Sequence, residues 1–348
     1  MSDFDDFDFV EHYGEVEEVA DADQLPDNTM ECALNCAFVG DGGGGGKLAK
    51  AFLDLGFNKT LLINTTEKDQ PDDVDEQHLV LIPDADGVAK NVLYGKEILK
   101  QNSAVVEDAL RTKLGKVDWL FVLCGGGGGT GSSSFALDEA FNRYLKSVEA
   151  EGKVFYIATW PSAQELLNST IAKNAMSLAT DLKDAPHIIL DNEKQMKILR
   201  GKVGILDLFP TANKAFAKLL SQTFKLASLK SSIQSFDSKD LERCMKENKR
   251  MLIGTTVIKN AQTPNLGAQI LQNCIKRSPC PTTHTDSNIG ALLLVINQEM
   301  ASDPKISQHL DAAISYVGGR TKTLFSGVYV VDNAPGLVAI MLMGGLTE

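Results

Sequence analysis

Apolar residues along the chain follow two alternating rhythms: short unbroken runs and longer stretches at helical spacing. Cys32–Val39 reads as a buried strand, and Lys47–Leu55 as a helix closed by Gly56. Thr60–Asn64 and His78–Ile82 read as strands, Asn91–Leu114 as mostly helical, and Val117–Cys124 as another strand. Helical spacing returns at Phe135–Leu145. Strands over Val154–Thr159 and His187–Leu190 flank a helical stretch, Gln164–Leu182. Gly204–Leu229 is a long helical pattern with apolar residues on more than one face, as expected for a helix buried between two bodies. A polar loop, Lys230–Ser238, and a helix, Lys239–Asn248, follow. Beyond residue 250, strands over Met251–Ile258, Gly290–Ile296, Gly327–Val331 and Leu337–Met343 alternate with two helices.

Strands alternating with helices predict an α/β fold, a parallel sheet whose ligands bind at the C-terminal ends of its strands. The expected order is a tail over 1–30, a parallel-sheet domain over 31–203, a central helix over 204–229 and a smaller α+β domain over 230–348. The chain has 348 residues and is 43% hydrophobic, enough for a sizeable core. No apolar run reaches the roughly 18 residues of a membrane span. The first residues, Met1-Ser-Asp-Phe-Asp-Asp, lack the basic and apolar regions of a signal peptide, so the expected location is the cytoplasm.

Charge changes this picture at one end only. Residues 1–28 carry eleven acidic side chains and no Lys or Arg, which leaves a total of −12 at about −1 for the other 320 residues. A near-neutral body argues against general nucleic-acid binding. The tail reads as a disordered solubilising segment, with recruitment of an adaptor or tuning of self-assembly as the alternative. The six cysteines are scattered and read as reduced thiols, and the five histidines form no cluster that suggests zinc or a Ser/His pair.

Two glycine runs carry the candidate chemistry. Gly40-Asp-Gly-Gly-Gly-Gly-Gly46 and Leu123-Cys-Gly-Gly-Gly-Gly-Gly-Thr-Gly-Ser-Ser-Ser134 each sit between a strand and a helix. Consecutive glycines are entropically costly there. They offer unhindered backbone N–H groups at a helix N-terminus, a site for phosphate; the alternative is a flexible loop. The first run taken alone is ambiguous. Gly40, Gly42 and Gly45 fit the dinucleotide pattern G-x-G-x-x-G, but the following strand ends in Asn64-Thr65, with Glu67 and Asp69 late for an acid that would hold a ribose. Asp41 and Leu48 break the P-loop pattern. Two such runs in one sheet suit neither.

Gly127-Gly-Gly-Thr-Gly-Ser132, paired with Gly42–Gly46, a long central helix and a terminal α+β part, resembles the tubulin and FtsZ superfamily from about residue 32 onward. The resemblance implies a GTP-binding protein that polymerises head to tail and hydrolyses GTP between subunits. Phosphates would lie on Gly42, Gly43, Gly44, Gly45 and Gly46 and on Gly127, Gly128, Gly129, Thr130, Gly131 and Ser132, with Mg2+ balancing their charge. Ile63-Asn64-Thr65 is similar to the family's segment after its second strand, and Glu165 to a ribose contact. Asn192, Phe209 and Asn213 are similar to residues that hold guanine. Asparagine offers both a donor and an acceptor to guanine's edge, and Phe209 can stack on a purine with Asn213 one helical turn away. Asn192 as a turn or cap residue, and Phe209 as plain core, are the alternatives.

Gln234-Ser-Phe-Asp237-Ser-Lys-Asp240 is similar to the family's loop after the core helix, which reaches into the next subunit's nucleotide site. The resemblance assigns Asp237 and Asp240, with Gln234, to catalysis: a carboxylate there can orient or deprotonate the attacking water. Ordinary helix capping by Asp237 or Ser238 is the alternative. The chain departs from the family pattern at several points. Gln234 replaces Asn, Phe236 is inserted, Ser133 stands for the loop's last Gly, and Ser169 stands where an Arg is common. Gly87–Gly95 replaces an Ala-Gly-x-x-Pro loop. The chain ends at Glu348 without the linker and terminal peptide of bacterial cell-division members. The expectation is a divergent member, such as a phage or plasmid tubulin, in a bacterial or phage-infected cytoplasm. A nucleotide-dependent scaffold without hydrolysis and a dinucleotide-binding enzyme are the competing readings.

Overall fold

A computed structural model describes residues 24–83, 85–281 and 286–346. Its elements, in order, are β1 (Cys36–Asp41), α1 (Gly42–Leu53), β2 (Thr60–Asn64), β3 (Leu79–Leu81), α2 (Val92–Gln101), α3 (Ser103–Leu114), β4 (Trp119–Gly125), α4 (Gly129–Ser132) and α5 (Asp138–Ser147). Then come β5 (Val154–Trp160), α6 (Ser169–Leu182), β6 (Pro186–Asp191), α7 (Asn192–Leu199), α8 (Leu208–Ser228) and α9 (Ser238–Lys246). The last part holds β7 (Lys249–Ile258), α10 (Leu266–Arg277), β8 (Ser287–Ile296), α11 (Gln298–Ala301), α12 (Ile306–Gly318), β9 (Thr321–Val330) and β10 (Leu337–Leu346).

The strands form one sheet in the order β3-β2-β1-β4-β5-β6-β7-β10-β8-β9. From β3 to β6 every pairing is parallel, and β10 runs antiparallel to both β7 and β8. This is the predicted α/β class: a parallel part, a long helix, then a mixed α+β part. The join is a short parallel pairing of β6 with β7 over Pro186–Ile188. Strands β1 and β2 are buried along their whole length, because helices cover both faces of the parallel part. One face carries α1 and α8, where Phe38 stacks on Phe52 at 4.1 Å and Phe121 meets Phe224 at 5.4 Å. The other face packs α3 and α5 through Val106, Leu110, Phe141 and Tyr144.

Helix α8 is the spine. Its 21 residues span about 30 Å at 1.5 Å per residue. From Leu219 to Ala227 every residue is buried, polar Gln222, Thr223 and Lys225 included, whereas Phe209 in its first turn is 42% exposed.

Several boundaries differ from the sequence pattern. Strand β1 starts at Cys36; the preceding Asn35 carbonyl instead accepts the amides of Asp118 and Trp119. The Asn91–Leu114 stretch is two helices broken at Asn102, and α7 has no counterpart in the pattern. Residues 1–23 of the acidic tail lie outside the described residues. Residues 24–30, counted with the tail from the sequence, pack on the body: Leu25 and Met30 are buried, and Asp27 pairs with Lys59 at 2.6 Å.

Candidate functional site

The C-terminal ends of β2, β1, β4, β5 and β6 lie side by side, with Asp41 level with Cys124 and Trp160 level with Asp191. Both glycine runs are therefore neighbours, and they touch. The first is not a loop but the opening of α1. Gly42 turns the chain with φ +70°, and Gly43–Gly46 are already helical. Glycine in a helix costs about 1 kcal/mol per residue against alanine. Close packing explains two of these positions, Gly42 and Gly45, whereas a Cβ on Gly44 or Gly46 would meet only ordinary contacts. A Cβ on Gly45 would lie 2.1 Å from the Leu123 carbonyl oxygen, and one on Gly42 would lie 2.8 Å from the Gly131 nitrogen. Thr65 and Thr130 hydroxyls, 2.8 Å apart and buried, tie the end of β2 to the second run. Asn64 is buried beside them, its side-chain oxygen accepting the Thr65 amide at 2.9 Å.

Within the second run the glycines differ. Gly126 and Gly127 abut the Thr159 carbonyl, Pro161 and Ile171, and Gly129 abuts Val88 and Lys90. Gly128 alone in that run faces open space, with nothing within 4 Å of where its Cβ would be. The run is held from outside by Asn174, a buried residue whose side-chain amide donates to the carbonyls of Lys90 at 2.9 Å and of Gly127 and Gly128 at 3.4 Å. Ala89 and Lys90 both take left-handed φ, at 46° and 62°. Such strain persists only where the surroundings enforce it. A cavity of about 430 Å³ opens there, lined by Lys90, Lys173 and Asn174. Ser132 donates to the Gly125 carbonyl at 3.2 Å. The departure at Ser133 is matched elsewhere: its hydroxyl lies 2.8 Å from the Gly129 carbonyl and 3.0 Å from that of Val92, in space left by Gly95.

Asp41 is the anomaly at this end. It ends β1 and is wholly buried, and among the described residues it makes no ion pair and neither carboxylate oxygen has a well-formed hydrogen bond. Burial pushes its pKa up to about 7, offset in part by the nearby Ser134 hydroxyl and Gly42 amide. The sequence signals it only as the acid that interrupts the first glycine run.

The remaining sugar and base candidates gather at the next strand ends. Glu165 is exposed, and its carboxylate accepts both the amide and hydroxyl of Ser162 at 2.8 Å. Glu193 accepts the Ala163 amide at 3.2 Å, which joins the Glu165 segment to the start of α7; that bond, with Lys197 beside it, lowers the Glu193 pKa. The cap of α7 is Asp191, not Asn192. Asn192 is half-buried, as is Asn213 one turn after Phe209 on α8, and α7 packs on α8. Neither asparagine side chain has a hydrogen-bond partner among the described residues, and Phe209 is too exposed to be plain core.

The acidic residues lie elsewhere. The loop 230–237 and α9 follow the far end of α8. There Lys239 is 3.6 Å from Glu151, and Lys153 reaches the Lys246 carbonyl at 3.3 Å. Glu151 and Lys153 immediately precede β5, so this is the N-terminal edge of the parallel strands, opposite the glycine runs. Asp237 caps α9, accepting the Asp240 amide at 3.0 Å. Partial burial and then the neighbouring Asp237 raise the Asp240 pKa. Gln234 is exposed; its side chain donates to Ser326 at 2.8 Å, and its carbonyl accepts the Val328 amide at 2.8 Å. The structure thus brings the two glycine runs together, sets Asn192 beside the helix that carries Phe209 and Asn213, and keeps Gln234, Asp237 and Asp240 apart from them all. Among the described residues no cluster of His, Cys, Asp or Glu could alone hold a metal ion. Asp69 does pack directly on Gly43.

The fold is shared with solved structures of TubZ, CetZ and FtsZ. The chain is similar to a GTPγS-form protofilament of TubZ from Bacillus thuringiensis serovar israelensis, with 16% identity, a TM-score of 0.74, and 91% of this chain and 88% of that one covered. It is similar to the GTPγS-bound protofilament of CetZ2 from Haloferax volcanii, with 18% identity, a TM-score of 0.71, and 90% and 94% covered. It is also similar to an empty FtsZ dimer from M. jannaschii, with 20% identity, a TM-score of 0.65, and 90% and 88% covered. No family model matches the chain, and no curated protein matches it in sequence.

Proposed function

We propose that this chain is a GTP-binding cytoskeletal protein that assembles head to tail and hydrolyses GTP between copies. One observation carries the reading. The glycine runs and the acidic loop lie at opposite edges of one sheet, with α8 between them. No single copy can close such a site, but stacking copies in one direction can. A repeated head-to-tail contact generates an open filament. The GTPγS-form protofilaments among the similar structures support that reading.

In the proposed site, residues 31–203 bind nucleotide, and the part from 230 onward completes the pocket of the next copy. Amides of Gly42–Gly46 and Gly127–Ser132 hold the phosphates, with Gly128 presenting the most open backbone. Asn64 backs the first run, and Glu165 holds the ribose. Asn192, Phe209 and Asn213 hold guanine, consistent with two unpartnered amides and an exposed ring. Mg2+ usually takes one or two carboxylates plus phosphate oxygens, and Asp69 beside Gly43 fits that habit. When bound, the ion neutralises charge on the phosphates. Asp237 fixes the turn into α9. Asp240, with its raised pKa, orients and accepts a proton from the attacking water.

Replacement of Asp240 by Ala is expected to leave GTP binding intact, abolish turnover and give over-stable filaments. Light scattering coupled to phosphate release checks this, and normal turnover in the variant would overturn the assignment. A second reading, a scaffold that assembles without hydrolysis, draws on the engaged Gln234 and Asp237 side chains. GTP-dependent assembly of the unaltered protein with no phosphate release would select it.

A further inference from the structure

The inserted Phe236 has no role in the reading so far. It is wholly buried, although it lies in a loop whose neighbours Ile233 and Gln234 are exposed. Both of its backbone groups are taken by one side chain. The Tyr329 hydroxyl accepts the Phe236 amide at 3.1 Å and donates to the Phe236 carbonyl at 2.9 Å. Gly327 makes the approach feasible. A Cβ there would meet the Tyr329 ring at 2.7 Å and the Phe236 Cβ at 2.9 Å. The same strand, β9, also receives Ser231, whose hydroxyl donates to the Val328 carbonyl, and Gln234, which forms an antiparallel bridge with Val328. Strand β9 is the last in the sheet, so its free edge is the surface on which the acidic loop is laid.

We propose that Tyr329 is a positioning residue for GTP hydrolysis: through Phe236 it sets the angle at which Asp237 and Asp240 are offered to the next copy. The inference rests on the hydrolysis reading above. The phenol holds a fixed point one residue before Asp237, and from there the cap bond to Asp240 fixes the first turn of α9. Burial raises the Tyr329 pKa, and Asp237 and Asp240 add to the rise, so both carboxylates lie close enough to act on the phenol electrostatically. The inserted residue thus becomes intelligible. Against a plain Asn-x-Asp spacing, an extra residue would swing the acids out of line. Burying that residue as an anchor under Tyr329 restores a defined geometry.

The test is GTP turnover of the full chain over ranges of GTP and protein concentration, for the unaltered protein, Tyr329→Phe and Gly327→Ala. Tyr329→Phe keeps the ring and loses both hydrogen bonds. Misplacing a catalytic group by about 1 Å costs up to about 100-fold, so kcat is expected to fall by about 10- to 100-fold. KM for GTP and the critical concentration for assembly are expected to stay within about twofold, since nucleotide contacts and interface area are retained. Gly327→Ala presses on the same contact from the other side and should show the same split. An unchanged kcat in both variants would overturn the inference, as would kcat falling only together with KM, critical concentration and thermal stability. If the unaltered protein assembles without releasing phosphate, it is the hydrolysis reading that fails. If it hydrolyses GTP and both variants match it, the failure belongs to Tyr329 alone.

Discussion

At the glycine end, backbone lies on backbone: α1 enters the sheet so closely that the Leu123 carbonyl fills the place of a Gly45 side chain. At the acidic end, a loop is hung from the edge of β9 by hydroxyls and one buried ring. The first surface is fixed by exclusion where it is tightest, since an atom added at Gly42, Gly45, Gly129 or Gly131 collides. The second is fixed by a few directional bonds, each worth about 0.5–1.5 kcal/mol net. One surface is set by packing and the other by a few named bonds, so a single substitution can shift the second without unfolding the first. In the proposed filament the pocket would hold its ligand before a partner arrives, and the acidic loop would be presented to it by those few bonds.

The comparison is most exposed at Asp41, a charge where only packing is expected. Its folded pKa lies above its unfolded one, so the folded state holds the proton more tightly. The stability it contributes is complete below about pH 4, is lost as pH rises toward 7, and stays lost above that. Asp41→Asn should therefore be more stable than the unaltered protein at pH 8, by up to about 4 kcal/mol, and the gain should vanish near pH 4. Denaturant unfolding across that range measures it; a pH-independent difference would mean the carboxylate is not carried as a buried acid. Next in size, Gly45→Ala should cost about 3 kcal/mol or more through overpacking, or prevent folding, because its neighbour is immovable backbone. The smallest effect sharpens the contrast. Gly128→Ala should change stability by less than about 0.5 kcal/mol, since its Cβ enters open space with an ordinary extended backbone. Its GTP affinity should nonetheless fall. Calorimetric titration beside thermal unfolding separates a glycine needed for packing from one needed for ligand.

The sequence pattern made the parallel sheet legible, because strands covered on both faces are apolar throughout and alternate with helical spacing. The glycine runs were legible as a class. What each glycine does was not, because Gly45 and Gly128 differ only in what the fold places against them. The start of α1 at Gly42 was missed because propensity disfavours a helix there and tertiary packing overrides it. Phe209 and Asn213 could be placed on one helix face from spacing alone, and their exposure became visible only when α8 was seen to be buried at its other end. The Phe236–Tyr329 pair spans 93 residues. Nothing local marks Tyr329 as anything but a strand residue, so the insertion before Asp237 read as an irregularity and not as an anchor.

Ser133 and Gly95 have a consequence for how substitutions combine. A side chain at position 95 would come within 2.4 Å of the Ser133 hydroxyl and 3.1 Å of its Cβ. A methyl group at 95 would therefore push the Ser133 hydroxyl off the Gly129 and Val92 carbonyls that it now bonds. The two positions form a coupled pair: Gly95→Ala should cost stability beside Ser133 and cost less in a chain that also carries Ser133→Gly, a difference that a double-mutant cycle measures.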